Sequence, residues 1–353
     1  MADMRSQFSL APVATALASR LGDCFVGLAD DCVGPDVDRR VDGMQDGQVL
    51  LLENTRFHAE DLDNSEAFAA QLAATADVFV NDAFGVIHRD QASVTGITRH
   101  VHLALMGPLV RHEIQRLLEA VHKPQRPFVV ILGGAKVVDK IGIIRVLLQK
   151  ADKLLIGGKM AFTFLKANDV SVGDTEIEAG GKYLEVAQEM QSIAAARGIP
   201  LLLPVDQVTA KSLTAGVATQ IVPLDTTCCT PEKPCIRDGF QGGDIGPATQ
   251  RLFADALAGA GTVFWNGPLG KFEVPEFAEG TFAVAHSMAA STARGAVTVV
   301  GGGDSVAAVH KIGLGDRHFT HLSTGGGASL EFIQNPDLPG IHALMHAKDR
   351  GVL

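Results

Sequence analysis

The stretch Gly133-Gly134-Ala135-Lys136-Val137-Val138-Asp139-Lys140 follows the apolar run Phe128 to Leu132 and joins paired glycines to two lysines four residues apart. Glycine lacks the Cβ that would hold a ligand off the main chain. A helix starting after Ala135 would put both ammonium groups on one face, at an N-terminus whose free N–H groups and dipole favour an anion. That chemistry suits polyphosphate, although a solvated strand-to-helix turn with two surface lysines fits the same residues. Three more turns of this kind end apolar runs: Gly157-Gly158-Lys159, Gly301-Gly302-Gly303-Asp304-Ser305 and Ser323-Thr324-Gly325-Gly326-Gly327-Ala328. In an open parallel sheet such turns converge on one crevice, where a nucleotide phosphate chain is the expected occupant. Asp304 offers a carboxylate to Mg²⁺, which takes one or two protein carboxylates plus phosphate oxygens; the same residue could cap the following helix.

In the first part of the chain, Leu50 to Phe57 and Asn81 to Arg89 each run from a strand into a loop bearing an arginine, Arg56 and Arg89. Arginine clamps carboxylate or phosphate well, and a surface ion pair is the plainer use of each. No GxxxxGK[ST] is present, which excludes a P-loop, and Gly313-Leu314-Gly315 lacks the third glycine of a dinucleotide fingerprint. His88-Arg89-Asp90 imitates a protein-kinase loop, but Thr95 stands where that loop needs Asn.

The elements that must carry these turns alternate along the chain. Strands are expected at Cys24 to Leu28, Val49 to Leu52, Val78 to Val80, Phe128 to Leu132, Leu154 to Ile156, Leu201 to Leu203, Thr262 to Trp265 and Val297 to Val300. Helices are expected at Leu10 to Leu21 with Ser9 as cap, Glu66 to Ala74, Val137 to Gln149 and Pro247 to Ala258. Tyr183, Val186, Ala187, Met190, Ile193 and Ala194 mark another, closed by Gly198. This rhythm implies doubly wound parallel sheets. A helix from Leu105 to Ala120, broken at His122 to Pro127, divides the chain.

The length of 353 residues is long for one core. The net charge of −10 argues against a nucleic-acid or acidic-membrane surface, so an anionic ligand must be held by local groups. No apolar stretch has the length of a membrane span. The five cysteines, Cys228-Cys229 and Cys235 among them, match neither a paired extracellular framework nor CxxC spacing, and are expected to be reduced.

Taken together, Leu51 to Phe57, Val80 to Gly85, Ile131 to Ile141, Trp265 to Glu273, Gly301 to Ser305 and Ser323 to Glu331 resemble the phosphoglycerate kinase family in motif and order, from Ser9 to Leu344. The resemblance implies two doubly wound, Rossmann-like parallel-sheet domains joined by a hinge helix. They would be a phosphoglycerate-binding domain at 1–104, the hinge at 105–121, a nucleotide-binding domain at 122–335 and a tail at 336–353. It implies Mg²⁺-dependent phosphoryl transfer between ATP and 3-phosphoglycerate, giving ADP and 1,3-bisphosphoglycerate, in a cytoplasmic monomer without nucleic-acid or membrane partners. Lys136 would meet the moving phosphoryl, with Gly325 and Gly326 facing it. Lys140, Gly157, Gly158, Gly242, Asn266, Glu273, Gly302, Gly303, Asp304 and Ser305 would hold the nucleotide, Asp304 also the metal, and Arg56 and Arg89 the phosphoglycerate.

The family's opening Asp-x-Asn strand and His-x-x-Arg loop should precede Ser9 and are not found, so the first domain is expected to be truncated and turnover impaired. The alternatives are a fragment of the full enzyme and a short paralogue that only binds adenine nucleotide; a dinucleotide-dependent oxidoreductase is disfavoured by the missing fingerprint. Lys159, Gly243, Lys271 and Asp90-Gln91 depart from the family pattern at the sites themselves.

Overall fold

The computed structural model describes residues 2–224 and 235–347, so Cys228 and Cys229 lie outside it. Two compact units form: Met1–Arg111 with Asp337–Leu353, and His112–Pro336. The first carries β1 (Phe25–Leu28), β2 (Val49–Leu51), β3 (Val78–Asn81) and β4 (Leu103–Met106). These form two separate parallel pairs, β1 with β2 and β3 with β4. The helix Glu66–Ala73 buries Phe68, Ala69 and Leu72 with Cys32, Ala92 and Ile97. Parallel sheets are usually covered on both faces, yet Val78 and Val80 are 45% and 51% exposed. The helix Ala11–Leu21 buries no side chain. The cap position of this helix is Leu10, with no side-chain cap, and not the expected Ser9, whose Oγ accepts from the Ala11 N–H while its hydroxyl donates to Glu53.

The helix expected from Leu105 starts later, because Leu103–Met106 is drawn into the ladder with β3. Pro108, whose fixed φ suits a first helical turn, opens Pro108–Leu117, and the Asp82 carboxylate accepts from the Leu109 and Val110 N–H groups. A π-helical turn, Leu118–His122, follows. The division between units therefore falls inside this helix, at Arg111/His112, and not at its ends. The tail also departs from expectation: Pro339–Ala347 is a helix of the first unit, with the Gly340 N–H donating to the Ile87 carbonyl at 2.9 Å.

The second unit holds β5 (Phe128–Leu132), β6 (Lys153–Ile156), β7 (Leu201–Leu202), β8 (Asp206–Ala210), β9 (Gln220–Pro223), β10 (Gln241–Ile245), β11 (Thr262–Asn266), β12 (Val297–Gly301) and β13 (His321–Leu322). Six of them make one parallel sheet in the order β13-β12-β11-β5-β6-β7. From β5 the chain runs outward through β6 and β7, then returns on the other side at β11, so strand order reverses between β5 and β11. Both strands are buried throughout, and Val129, Ile131, Val263, Trp265 and Val300 pack with Phe253, Leu257, Val284 and Met288. Leu184–Ala196 is the expected helix, followed by Gly198 at φ +66°.

The expectation of parallel sheets alone is corrected by an antiparallel one, β10-β8-β9. Its strands carry Gln, Asp, Thr and Gly, which hid them from an apolar-run criterion. Asp206 on β8 explains one such residue: its carboxylate accepts from the Ala248 and Thr249 N–H groups and the Thr249 hydroxyl, capping Pro247–Leu257. The expectation of reduced cysteines fails at Cys235, which is disulfide-bonded, while Cys24 and Cys32 are free. Among the described residues no helix is long and apolar enough to cross a membrane.

Asp206→Ala leaves the Ala248 and Thr249 N–H donors of the helix start unpaired, and is expected to lower unfolding stability by about 2 kcal/mol in urea titration. A second carboxyl gives a pH signature. Burial raises Asp244 from 3.8 to about 8, against the pull of the Gly280 and Ile245 N–H groups and with a small push from Glu279. The folded chain thus keeps a proton that the unfolded chain releases, so this stabilisation is complete below about pH 4 and is lost as pH rises through about 8. The melting temperature should fall between roughly pH 4 and pH 8, and Asp244→Asn should flatten that slope.

Candidate functional site

At the carboxyl ends of β5, β6 and β11 three turns meet backbone to backbone. The Gly133 N–H donates to the Asn266 carbonyl, the Gly134 N–H to that of Pro268, and the Gly158 N–H to that of Leu269. A Cβ on Gly133 would lie 2.2 Å from the Pro268 carbonyl oxygen, and one on Gly158 would lie 2.6 Å from the Gly134 nitrogen. These glycines serve chain-to-chain approach. Room for a ligand lies elsewhere, over Gly303 and Gly326, where the space beside the main chain is open.

Two cavities adjoin here. The smaller, about 370 Å³, is lined by Lys136, Lys140, Asn266, Gly302, Asp304 and Gly326, among others. The larger, about 530 Å³, extends over Lys159, Phe162, Gln207, Gly242, Lys271 and Glu273. Gly134, Ala135, Pro268 and Asp304 belong to both walls. Of the expected residues, this brings together Lys136, Lys140, Gly158, Gly242, Asn266, Glu273, Gly302, Gly303, Asp304, Ser305 and Gly326. Gly157 and Gly325 are buried beneath the walls.

Several roles differ from the sequence reading. Lys136 and Lys140 do not share a helix face, because Val138–Lys140 is a 3₁₀ turn and the α-helix starts at Ile141. Lys136 is exposed at the rim, whereas Lys140 is buried, its ammonium donating to the Gly133 carbonyl (2.7 Å), the Asn266 carbonyl (3.0 Å) and Asn266 Oδ1 (2.7 Å). The N–H groups of Val137 and Val138, expected to meet an anion, donate to Glu178. Asp304 lies in the first turn of Gly303–Lys311, with Gly302 at the cap, so it is no N-cap; it is exposed and lines both cavities. Ser305 is buried and its Oγ accepts from the Gly267 N–H at 2.7 Å.

The departing residues each find an internal partner. Lys159 pairs with Glu176, Lys271 donates to the Leu213 carbonyl at 2.9 Å, and Gly243 makes room for the Phe277 ring. Glu113, which the sequence reading missed, is buried beneath the Ser323 to Gly327 turn. It accepts from the Thr324 N–H (2.6 Å) and hydroxyl (2.8 Å) and contacts His321 Nε2 at 2.6 Å. Burial pushes its carboxyl up, but His321 and Thr324 outweigh that and hold it below the usual range. Its signal was position: Val110, Glu113 and Leu117 share one helical stripe, a charge where packing expects an apolar side chain.

In the first unit Arg56 is held internally, by the buried Asp61 carboxylate and by Gln91. Arg89 is exposed. A cavity of about 450 Å³ in this unit, lined by Asp90, Arg99, His342 and His346 among others, includes neither arginine.

The sequence matches the family model described as Phosphoglycerate kinase over residues 2–335. A phosphoglycerate kinase of Gloeothece citriformis is 47% identical over 338 residues, 96% of this chain and 81% of that protein. One of Clostridium novyi is 48% identical over 343 residues, 97% of this chain and 82% of its own length. Among solved structures, the phosphoglycerate kinase of Coxiella burnetii aligns with a TM-score of 0.79 at 37% identity over 96% of this chain and 82% of its own, and that of Pyrococcus horikoshii with 0.83 at 30% over 97% and 83%. With its reversed strand order and glycine-lined cavities at the carboxyl ends of the strands, the chain belongs to the phosphoglycerate kinase family.

Proposed function

We propose that this chain binds Mg-ATP or Mg-ADP across the two adjoining cavities of its second unit, for phosphoryl transfer to and from the carboxylate of 3-phosphoglycerate. The observation that carries this is the shared wall: Asp304 faces both cavities, so one ligand can run from a base in the larger to its phosphates in the smaller. One exposed carboxylate beside open glycine backbone fits Mg²⁺, which when bound neutralises phosphate charge. Lys136 at the rim is placed to stabilise the phosphoryl in flight, and Glu273 to reach the ribose. The attacking carboxylate needs no general base, so the protein contributes position and charge. In this reading Pro108–Leu117 is the hinge, and Glu113 fixes the Thr324 turn to it.

Arg56 and Arg89 are the proposed phosphoglycerate contacts, and Arg56 is already spent on Asp61 and Gln91. That favours a second reading in which the chain binds nucleotide but turns over poorly. Calorimetry is expected to show Mg-ADP binding while a coupled assay shows negligible turnover; robust turnover would overturn the impairment.

The two lysines should separate cleanly. Lys140→Met removes the donor that links three oxygens of these turns, leaving the Gly133 carbonyl and Asn266 Oδ1 unpaired, and is expected to weaken Mg-ADP about tenfold and to lower the urea midpoint. Lys136→Ala should leave stability within about 0.5 kcal/mol, as exposed substitutions do. Equal stability of both variants would count against Lys140 tying the two turns together.

A further inference from the structure

Among the polar side chains that line the larger cavity and that the nucleotide reading has not used is Gln207. Gln207 lies on β8, where successive side chains alternate. Asp206 faces the helix that it caps, and Gln207 faces the cavity. Gln207 is 1% exposed, and its Oε1 has no hydrogen-bond partner among the described residues. Buried acceptors left unpaired are uncommon and cost stability, whereas other polar groups nearby are satisfied: Thr175 Oγ1 accepts from the Gly242 N–H at 3.0 Å, and Lys271 is tied to Leu213. The same cavity is walled by Phe162 and Leu269, with Gly242 and Gly243 packed close against the Phe162 and Phe277 rings, an apolar lining suited to a flat heteroaromatic ring.

We infer that Gln207 reads the nucleotide base, its Oε1 accepting a hydrogen bond from the exocyclic amine of adenine. This rests on the assignment of the paired cavities to a nucleotide. The amine of adenine is a donor where hypoxanthine carries a carbonyl oxygen, so the inosine nucleotide opposes acceptor to acceptor and leaves Oε1 unpaired. Sites that hydrogen-bond one substrate group discriminate strongly against an analogue lacking it, because the buried partner is then stranded. Gln207 is thus assigned to specificity, with phosphate binding left to the other cavity.

The test is calorimetry with Mg-ADP, Mg-IDP and magnesium tripolyphosphate on the full chain and on Gln207→Met, an apolar side chain of similar length. The full chain is expected to prefer ADP over IDP by about tenfold, the order of one such hydrogen bond. In Gln207→Met the ADP affinity should fall by a similar factor, with IDP changed less than about twofold and tripolyphosphate unchanged. Equal affinity of the full chain for ADP and IDP overturns the assignment whatever the variant does. An ADP preference that survives Gln207→Met also overturns it, and leaves the nucleotide site standing. A folded chain that binds neither ADP nor tripolyphosphate overturns both.

Discussion

The second unit depends on one buried ammonium. Lys140 reaches from the 3₁₀ turn after β5 to oxygens of Gly133 and Asn266, where strand order reverses between β5 and β11. The two turns must come within backbone distance there, which is why glycine stands at 133, and why Gly267, at φ +92°, faces it. Asn266, so fixed, sits between Lys140 and the Gly302 turn, while the Gly267 N–H and carbonyl are taken by Ser305 and Trp265. The geometry of the smaller cavity is therefore set by a charge that serves the fold. A buried ammonium is costly unless well bonded, and removing either side of such an arrangement costs more than the bonds contribute net.

Carboxylates do the complementary work. Glu178 takes the amides after Ala135, Glu113 takes Thr324, Asp206 caps the helix after β10, and Asp82 caps Pro108–Leu117. Each occupies N–H donors that would otherwise attract anions anywhere along the strand ends. Open main chain remains in the smaller cavity at Gly303 and Gly326, beside Lys136 and Asp304. A chain of net charge −10 can hold an anion in this way because the field that matters is local.

Much of this was legible from pattern. Eight of the parallel strands announced themselves as apolar runs within a residue or two, and the glycine turns lay at their ends. The antiparallel sheet was not, since DQVTA and QGGDI satisfy pairing and capping with polar residues. Leu103–Met106 was absorbed into a helix because a four-residue apolar run has no period of its own. Spacing alone placed Lys136 and Lys140 together, and a 3₁₀ turn separated them. Nor could sequence show that Arg56 faces Asp61, since five residues of separation fix no contact in a loop.

The departures from the family pattern teach how to weigh an odd residue. Lys159, Lys271 and Gly243 depart from the family pattern, and each is explained by a neighbour: Glu176, the Leu213 carbonyl and the Phe277 ring. Gln91, where the family has histidine, is explained by Arg56. A polar residue whose hydrogen bonds close within the protein is accounted for by folding and says little about ligands. One that stays open inside a cavity is not so accounted for, because burial without a partner is disfavoured by the fold itself. By that criterion unusual residue type is the weaker guide, and an unpaired buried atom, here Gln207 Oε1, the stronger one.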